Sequence, residues 1–185
     1  MRRSLQVLAV FAALAFGGSS ADAALEQGTL ELAPALSYTH SSYSAPGAGS
    51  ASVTQFAGTL GLGYCMSDRA ELLGAFILNH ISGDFGDATT GGLSGGMGLN
   101  FPSSGSNIVP FLQAEVGFLS NSGGGETTLI LPSIAAGIRC LIGNSASVNF
   151  AAGYQHQTNA LGVSDVSANI LGLQIGVSIF PGAER

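Results

Sequence analysis

The sequence predicts an all-β fold: an eight-stranded antiparallel up-and-down β-barrel that spans a membrane, preceded by a cleavable signal peptide. Three observations predict it. First, large apolar residues alternate with small or polar ones along most of the chain, as in Leu171, Leu173, Ile175 and Val177 against Gly172, Gln174, Gly176 and Ser178. Side chains alternate across a strand with a period of two, so such a segment has one greasy and one polar face. Second, only 9% of the residues are charged and 28 of the 185 are Gly. Ordinary soluble domains carry about 25% charged residues and about half that share of Gly. Third, mean hydropathy is +0.41, yet past the N-terminal segment no run reaches the ~20 apolar residues of a membrane helix. High hydropathy carried by alternating strands is the signature of a transmembrane barrel.

Residues 1–23 read as a secretory signal. Arg2 and Arg3 form its positive region, Leu5 to Phe16 its apolar core, and Ala21-Asp22-Ala23 its small-x-small cleavage site. No lipobox cysteine follows, so no lipid anchor is expected, and residues 24–185 form the barrel domain.

The first strand is predicted from Gly28 to His40, with Leu30, Leu32, Pro34, Leu36 and Tyr38 on one face. Ser41 to Ser52 is rich in Ser, Ala, Gly and Pro and reads as a flexible loop. The second strand, Val53 to Met66, is closed by a tight turn at Ser67-Asp68-Arg69. The third, Ala70 to Ile81, carries aliphatics on both faces. A Gly/Asp loop covers Ser82 to Thr90, and the fourth strand runs from Gly91 to Phe101. The turn Pro102–Asn107 leads to the fifth strand, Ile108 to Leu119. After the loop Ser120–Glu126 comes the sixth, Thr127 to Ile142. The turn Gly143–Ser145 opens the C-terminal hairpin, Ser147 to Phe180, whose strands flank a loop at Asn159–Asp165. Long and short connections therefore alternate, which places the three short turns at one end of the barrel.

Eight strands enclose an interior just filled by side chains. The inner phase is mostly Gly, Ala, Ser, Thr, Asn and Gln, with Glu31, Glu115 and Arg139 added. A charge in so narrow a space needs a partner, so the sequence predicts a lumen-plugging network of Arg139 with Glu31 or Glu115. Cys65 falls on the inner phase of its strand and Cys140 on the outer phase of another, on opposite sides of the barrel. The two read as unbridged apolar fillers. His40, His80 and His156 lie on the first, third and seventh strands and face apart, so neither a metal site nor any cofactor is predicted. A net charge of −6 argues against nucleic acid as a partner.

Gly28-Thr29-Leu30-Glu31-Leu32, Leu62-Gly63-Tyr64 before Ser67-Asp68-Arg69-Ala70, and Pro110 to Ala114 followed by Val116-Gly117-Phe118 carry a likeness that covers nearly the whole mature chain. In them the sequence resembles the outer-membrane β-barrel domain family, small eight-stranded barrels like the OmpA transmembrane domain and OmpX. The resemblance implies the outer membrane of a Gram-negative bacterium, contact with outer-membrane lipid and lipopolysaccharide, delivery by the barrel-insertion machinery, and a monomer. It implies a porin-like barrel in a structural or surface-interaction role, with an extracellular ligand that the residues do not identify. Such barrels commonly end on an aromatic; here Phe180 is out of phase with the greasy face and is followed by Pro181 to Arg185.

A second, local likeness lies at His156-Gln157-Thr158-Asn159-Ala160, which is similar to the His-x-Ser-Asn-Ala of lipid A deacylases, before the last strand. It implies an alternative: a lipid A acyl-ester hydrolase with His156 as base, Thr158 as nucleophile and Asn169 in the orienting position. Asp165 is the nearest carboxylate. Read from the residues alone, Tyr154 and His156 belong to an interfacial girdle, and Thr158-Asn159 opens a loop. Asn169 orients an imidazole but cannot balance its developing charge, so the expected function is non-enzymatic.

Overall fold

The structure is a computed structural model that describes residues 25–45, 48–81, 88–121, 127–159 and 167–181. The predicted signal peptide lies outside the described residues. So do 82–87, 122–126 and 160–166, the greater part of three predicted loops together with Ala160 and Asp165.

Eight strands follow one another: β1 (Leu30–Ala45), β2 (Ala48–Cys65), β3 (Ala70–Ile81), β4 (Ala88–Asn100), β5 (Ile108–Asn121), β6 (Thr128–Ile142), β7 (Ala146–Thr158) and β8 (Ser167–Ile179). Each pairs antiparallel with the next, and β8 pairs back onto β1 to close the barrel. Closure leaves no sheet edge, so backbone donors and acceptors are satisfied within the wall, as a lipid surrounding demands. The apolar phase points outward: Leu36, Phe56, Leu62, Phe76, Met97 and Leu171 are among many large apolar side chains on the outer surface. A water-soluble barrel would bury them.

The ambiguous third strand resolves in register. Leu72, Phe76 and Leu78 face out; Leu73 and Ile77 face in. The two inward aliphatics pair with Gly96 and Gly92 of β4.

One predicted loop is corrected. Ser41 to Ser52 is mostly strand, because β1 runs on to Ala45 and β2 restarts at Ala48. Ser42 pairs with Ser52 on one side and with Asn169 on the other, and Tyr43 pairs with Ala51 and Ala168. Backbone pairing on both sides holds the segment extended despite its loop-like composition.

At the short-turn end, Ser67 Oγ accepts from the N–H groups of Arg69 at 3.3 Å and Ala70 at 3.1 Å. Gly143 turns the chain between β6 and β7 at φ +63°, a conformation open to glycine at little cost. The lumen is filled at this end by Leu25, Cys65, Val109, Leu141 and Phe180, packed as one buried apolar cluster. Leu25 reaches it because the segment before β1 folds under the barrel, with Gly28 N–H donating to the Cys65 carbonyl at 2.8 Å. Phe180 is held by its own N–H, which donates to the Ser145 carbonyl at 2.8 Å. Its departure from the outward phase thus has a physical meaning: the ring turns inward and joins the buried cluster. At the long-loop end Leu119, Ile130, Ala168 and Ile170 point inward and are buried beside Thr90, Thr128 and Gln157. Cys65 and Cys140 are free thiols, the first buried in the lumen cluster.

Candidate functional site

Among the described residues, the inner wall carries one constellation of paired charges, just above the apolar cluster. Arg139 extends from β6 and divides its guanidinium between two carboxylates. Nη1 lies 2.9 Å from Glu31 Oε2 on β1, and Nη2 lies 2.8 Å from Glu71 Oε2 on β3. All three side chains are buried. Asn100 Nδ2 donates to Glu71 Oε2 at 3.4 Å. The Ser178 hydroxyl donates to Glu31 Oε1, and Asn149 Nδ2 donates to Ser178 in turn. The Phe111 ring lies under the guanidinium, 5.4 Å from its carbon, where the ring's quadrupole favours the cation. Two inner glycines make room. A Cβ on Gly63 would stand 2.1 Å from Glu71 Oε1, and one on Gly137 would stand 2.7 Å from Phe111 Cζ.

The predicted network thus takes a corrected form. Glu31 meets Arg139, whereas Glu115 accepts a hydrogen bond from Ser94 Oγ at 2.6 Å. The cause is register. Arg139 pairs with Val109, six positions from Glu115 along β5, or roughly 20 Å at about 3.3 Å per residue. Glu71 takes the place that the sequence offered to Glu115. The mixed pattern of β3 hid its phase, although Glu71 pairs directly with inward Cys65.

Above the constellation lie two cavities of mixed lining. One, of about 80 Å³, is bounded by Glu31, Arg139, Gln113 and Gln174. The next, of about 170 Å³, is bounded by Gln55, Asn79, Gln155 and Gln157, and there Asn79 Nδ2 donates to Gln55 Oε1 at 2.8 Å. Glu115 borders both.

A second cluster stands on the outer wall near the long-loop end. His156 and Asn169 are direct partners across β7 and β8, and His156 Nδ1 lies 3.0 Å from Asn169 Oδ1. Tyr154 Oη donates to the same oxygen at 2.7 Å. Thr158 follows two residues on, paired with Ser167. Asn159 then takes φ +52°, and its carbonyl accepts from Thr128 Oγ1 at 2.7 Å, which ends the strand. Of the three residues that the local likeness implies, His156 and Asn169 are in contact, with a neutral amide on the imidazole, and Thr158 lies two positions along the same strand. Asp165 lies outside the described residues. His80 pairs with Thr89 across β3 and β4, Nδ1 to Oγ1 at 3.2 Å. The backbone of His40 pairs with Thr54 and Leu171, while its side chain lies outside what is described.

No protein-family profile and no curated protein matches the chain. Solved structures do. A de novo designed transmembrane β-barrel superposes with a TM-score of 0.50 at 15% identity, covering 84% of this chain and 97% of its own. Neisserial surface protein A gives 0.49 at 18% identity, over 80% of this chain and 96% of its own. OprG of Pseudomonas aeruginosa gives 0.47 at 15% identity, over 85% and 98%. The likeness to the designed barrel and the outward apolar phase agree: the chain has the fold of the eight-stranded transmembrane β-barrels.

Proposed function

We propose that this protein is a non-enzymatic, integral outer-membrane barrel with a side-chain-plugged lumen, serving the envelope structurally or through its surface loops. One observation carries the reading. Inward side chains stand at three levels of the lumen and support it: the Phe180 cluster, the Arg139 bridge to Glu31 and Glu71, and buried Leu119, Ile130 and Ile170. With the short turns in the periplasm and the long connections outside, the apolar outer surface meets lipid and lipopolysaccharide. The barrel works as a monomer delivered by the barrel-insertion machinery. Planar-bilayer recording tests the plug. Silence or brief, small openings are expected, and a large steady conductance would refute it. Recovery in the soluble periplasmic fraction without detergent would refute the membrane placement.

The 3.0 Å contact of His156 with Asn169 favours one second reading: an outer-wall hydrolase for lipid A acyl esters, with His156 as base and Thr158 as nucleophile. The neutral Asn169 leaves a developing imidazolium without a counter-charge, and loss of the acid from such a triad costs about 10⁴ in rate. Mass spectrometry of lipid A from cells expressing wild type, His156→Ala or empty vector separates the two readings. Identical acylation in all three supports the first; loss of an acyl chain only with intact His156 establishes the second.

A further inference from the structure

The outer wall has a gap at Gly58. Around the barrel runs a row in which Phe150, Ile175, Leu36, Gly58 and Leu78 are successive direct partners across β7, β8, β1, β2 and β3. Gly58 occupies the outward phase where its neighbours in the row carry large side chains, and a Cβ built there would meet nothing within 4 Å. Leu36 stands beside it 68% exposed, and Phe56 above it 67% exposed. Tyr38 and Phe56, edge to face at 5.3 Å, wall the gap on the long-loop side. The result is a recess of about 670 Å³.

Its polarity is graded. The lining is mostly apolar, with Ser37, Asn79 and Gln174 along it and the His80–Thr89 pair at one end. His80 lies on the long-loop side, since β3 runs from the short turn at Ala70 to Ile81. With Nδ1 engaged by Thr89 at 3.2 Å, the other ring nitrogen is available to a polar group there. Width limits what enters. Leu36 and Leu78 lie two strand spacings apart, about 10 Å between backbones, and their side chains narrow that further. A helix, about 10–12 Å across with side chains, does not fit, and neither does the convex wall of a second barrel. A single hydrocarbon chain does.

We propose that this recess seats one acyl chain of an outer-leaflet glycolipid, with the chain's polar linkage against the His80–Thr89 pair. The inference rests on the outer-membrane placement proposed above, which puts the polar end of the recess in the outer leaflet.

Native mass spectrometry of the detergent-purified full barrel, titrated with lipid A, tests it. Wild type should hold one lipid A. Gly58→Leu fills the floor and should lower the bound fraction about tenfold, the weight of roughly two methylenes losing contact. His80→Ala should lower it several-fold, and Gly58→Ala, which meets open space, should bind as wild type. Val116→Leu on β5, outside the recess, should also bind as wild type. Should Gly58→Leu fail to fold, Leu78→Trp fills the recess from its side and should show the same loss. Unchanged lipid A binding by folded Gly58→Leu or Leu78→Trp overturns the proposal. Equal or tighter binding of phosphatidylethanolamine overturns the assignment to the outer leaflet, and a dimer abolished by Gly58→Leu assigns the recess to a second copy instead. If the protein needs no detergent to stay in solution, the membrane placement itself fails, an outcome distinct from all of these.

Discussion

Arg139 on β6 reaches Glu71 on β3 across the lumen, Nη2 to Oε2 at 2.8 Å, and joins residues 68 positions apart in the chain. The same guanidinium holds Glu31 at 2.9 Å, so one cation ties three separate strands. Two carboxylates facing one guanidinium make Arg139 the member whose loss is felt most.

Removing Arg139 leaves two buried carboxylates uncompensated. Arg139→Leu should cost about 3–5 kcal/mol of barrel stability, read as a lowered urea midpoint in detergent micelles. Glu71→Gln should cost less, because Arg139 keeps Glu31 and the charges then balance one to one. Glu115→Gln should be the mildest, since its contact with Ser94 survives as a neutral hydrogen bond. Equal losses for Glu71→Gln and Arg139→Leu would contradict the arrangement.

Two glycines of β2, Gly63 and Gly58, should respond differently to a methyl group. At Gly63 the new Cβ would come 2.1 Å from Glu71 Oε1, so the carboxylate must leave its place beside Arg139. Gly63→Ala should cost about 1–3 kcal/mol. At Gly58 the Cβ meets nothing within 4 Å, and Gly58→Ala should unfold at the wild-type urea concentration to within experimental scatter.

Phe180 is 1% exposed and packs with Leu25 and Leu141 at the short-turn end. Phe180→Ala should open a cavity and cost about 3–5 kcal/mol. In planar bilayers the variant should still be quiet while Arg139 holds its carboxylates, and conduct measurably once Arg139→Leu is added. Conductance from Phe180→Ala alone would show that the ion-pair level is no barrier.

The free thiols differ in access. Cys65 is buried inside the apolar cluster, whereas Cys140 is partly exposed on the outer face. In the folded, detergent-solubilised barrel a small maleimide should leave Cys65 unmodified until urea unfolds the chain. Reductant should not change the mobility of the untreated protein on a denaturing gel. A mobility shift would reveal a bridge that the positions on β2 and β6 oppose.

The faces of the strands were legible in the sequence because alternation is local. Leu171 to Val177 shows its greasy side without knowledge of any partner, and the low charge and missing membrane helix then make that side a lipid-facing one. The inward place of Glu31 and Arg139 follows from the same phase. Phase alone does not say which inward groups meet. That depends on register and on β8 closing onto β1, which set each side chain's height in the lumen. Those heights separate Glu115 from Arg139, bring Glu71 in from a strand with apolar residues on both faces, and set His156 against Asn169. Composition also misled where backbone pairing overrides it: Ser42 and Tyr43 are held in a strand by hydrogen-bonded neighbours on both sides. Phe180 broke the outward pattern in the sequence. Only the packed end of the barrel, where Leu25 folds under and Ser145 takes its N–H, gives that break a place in a buried cluster.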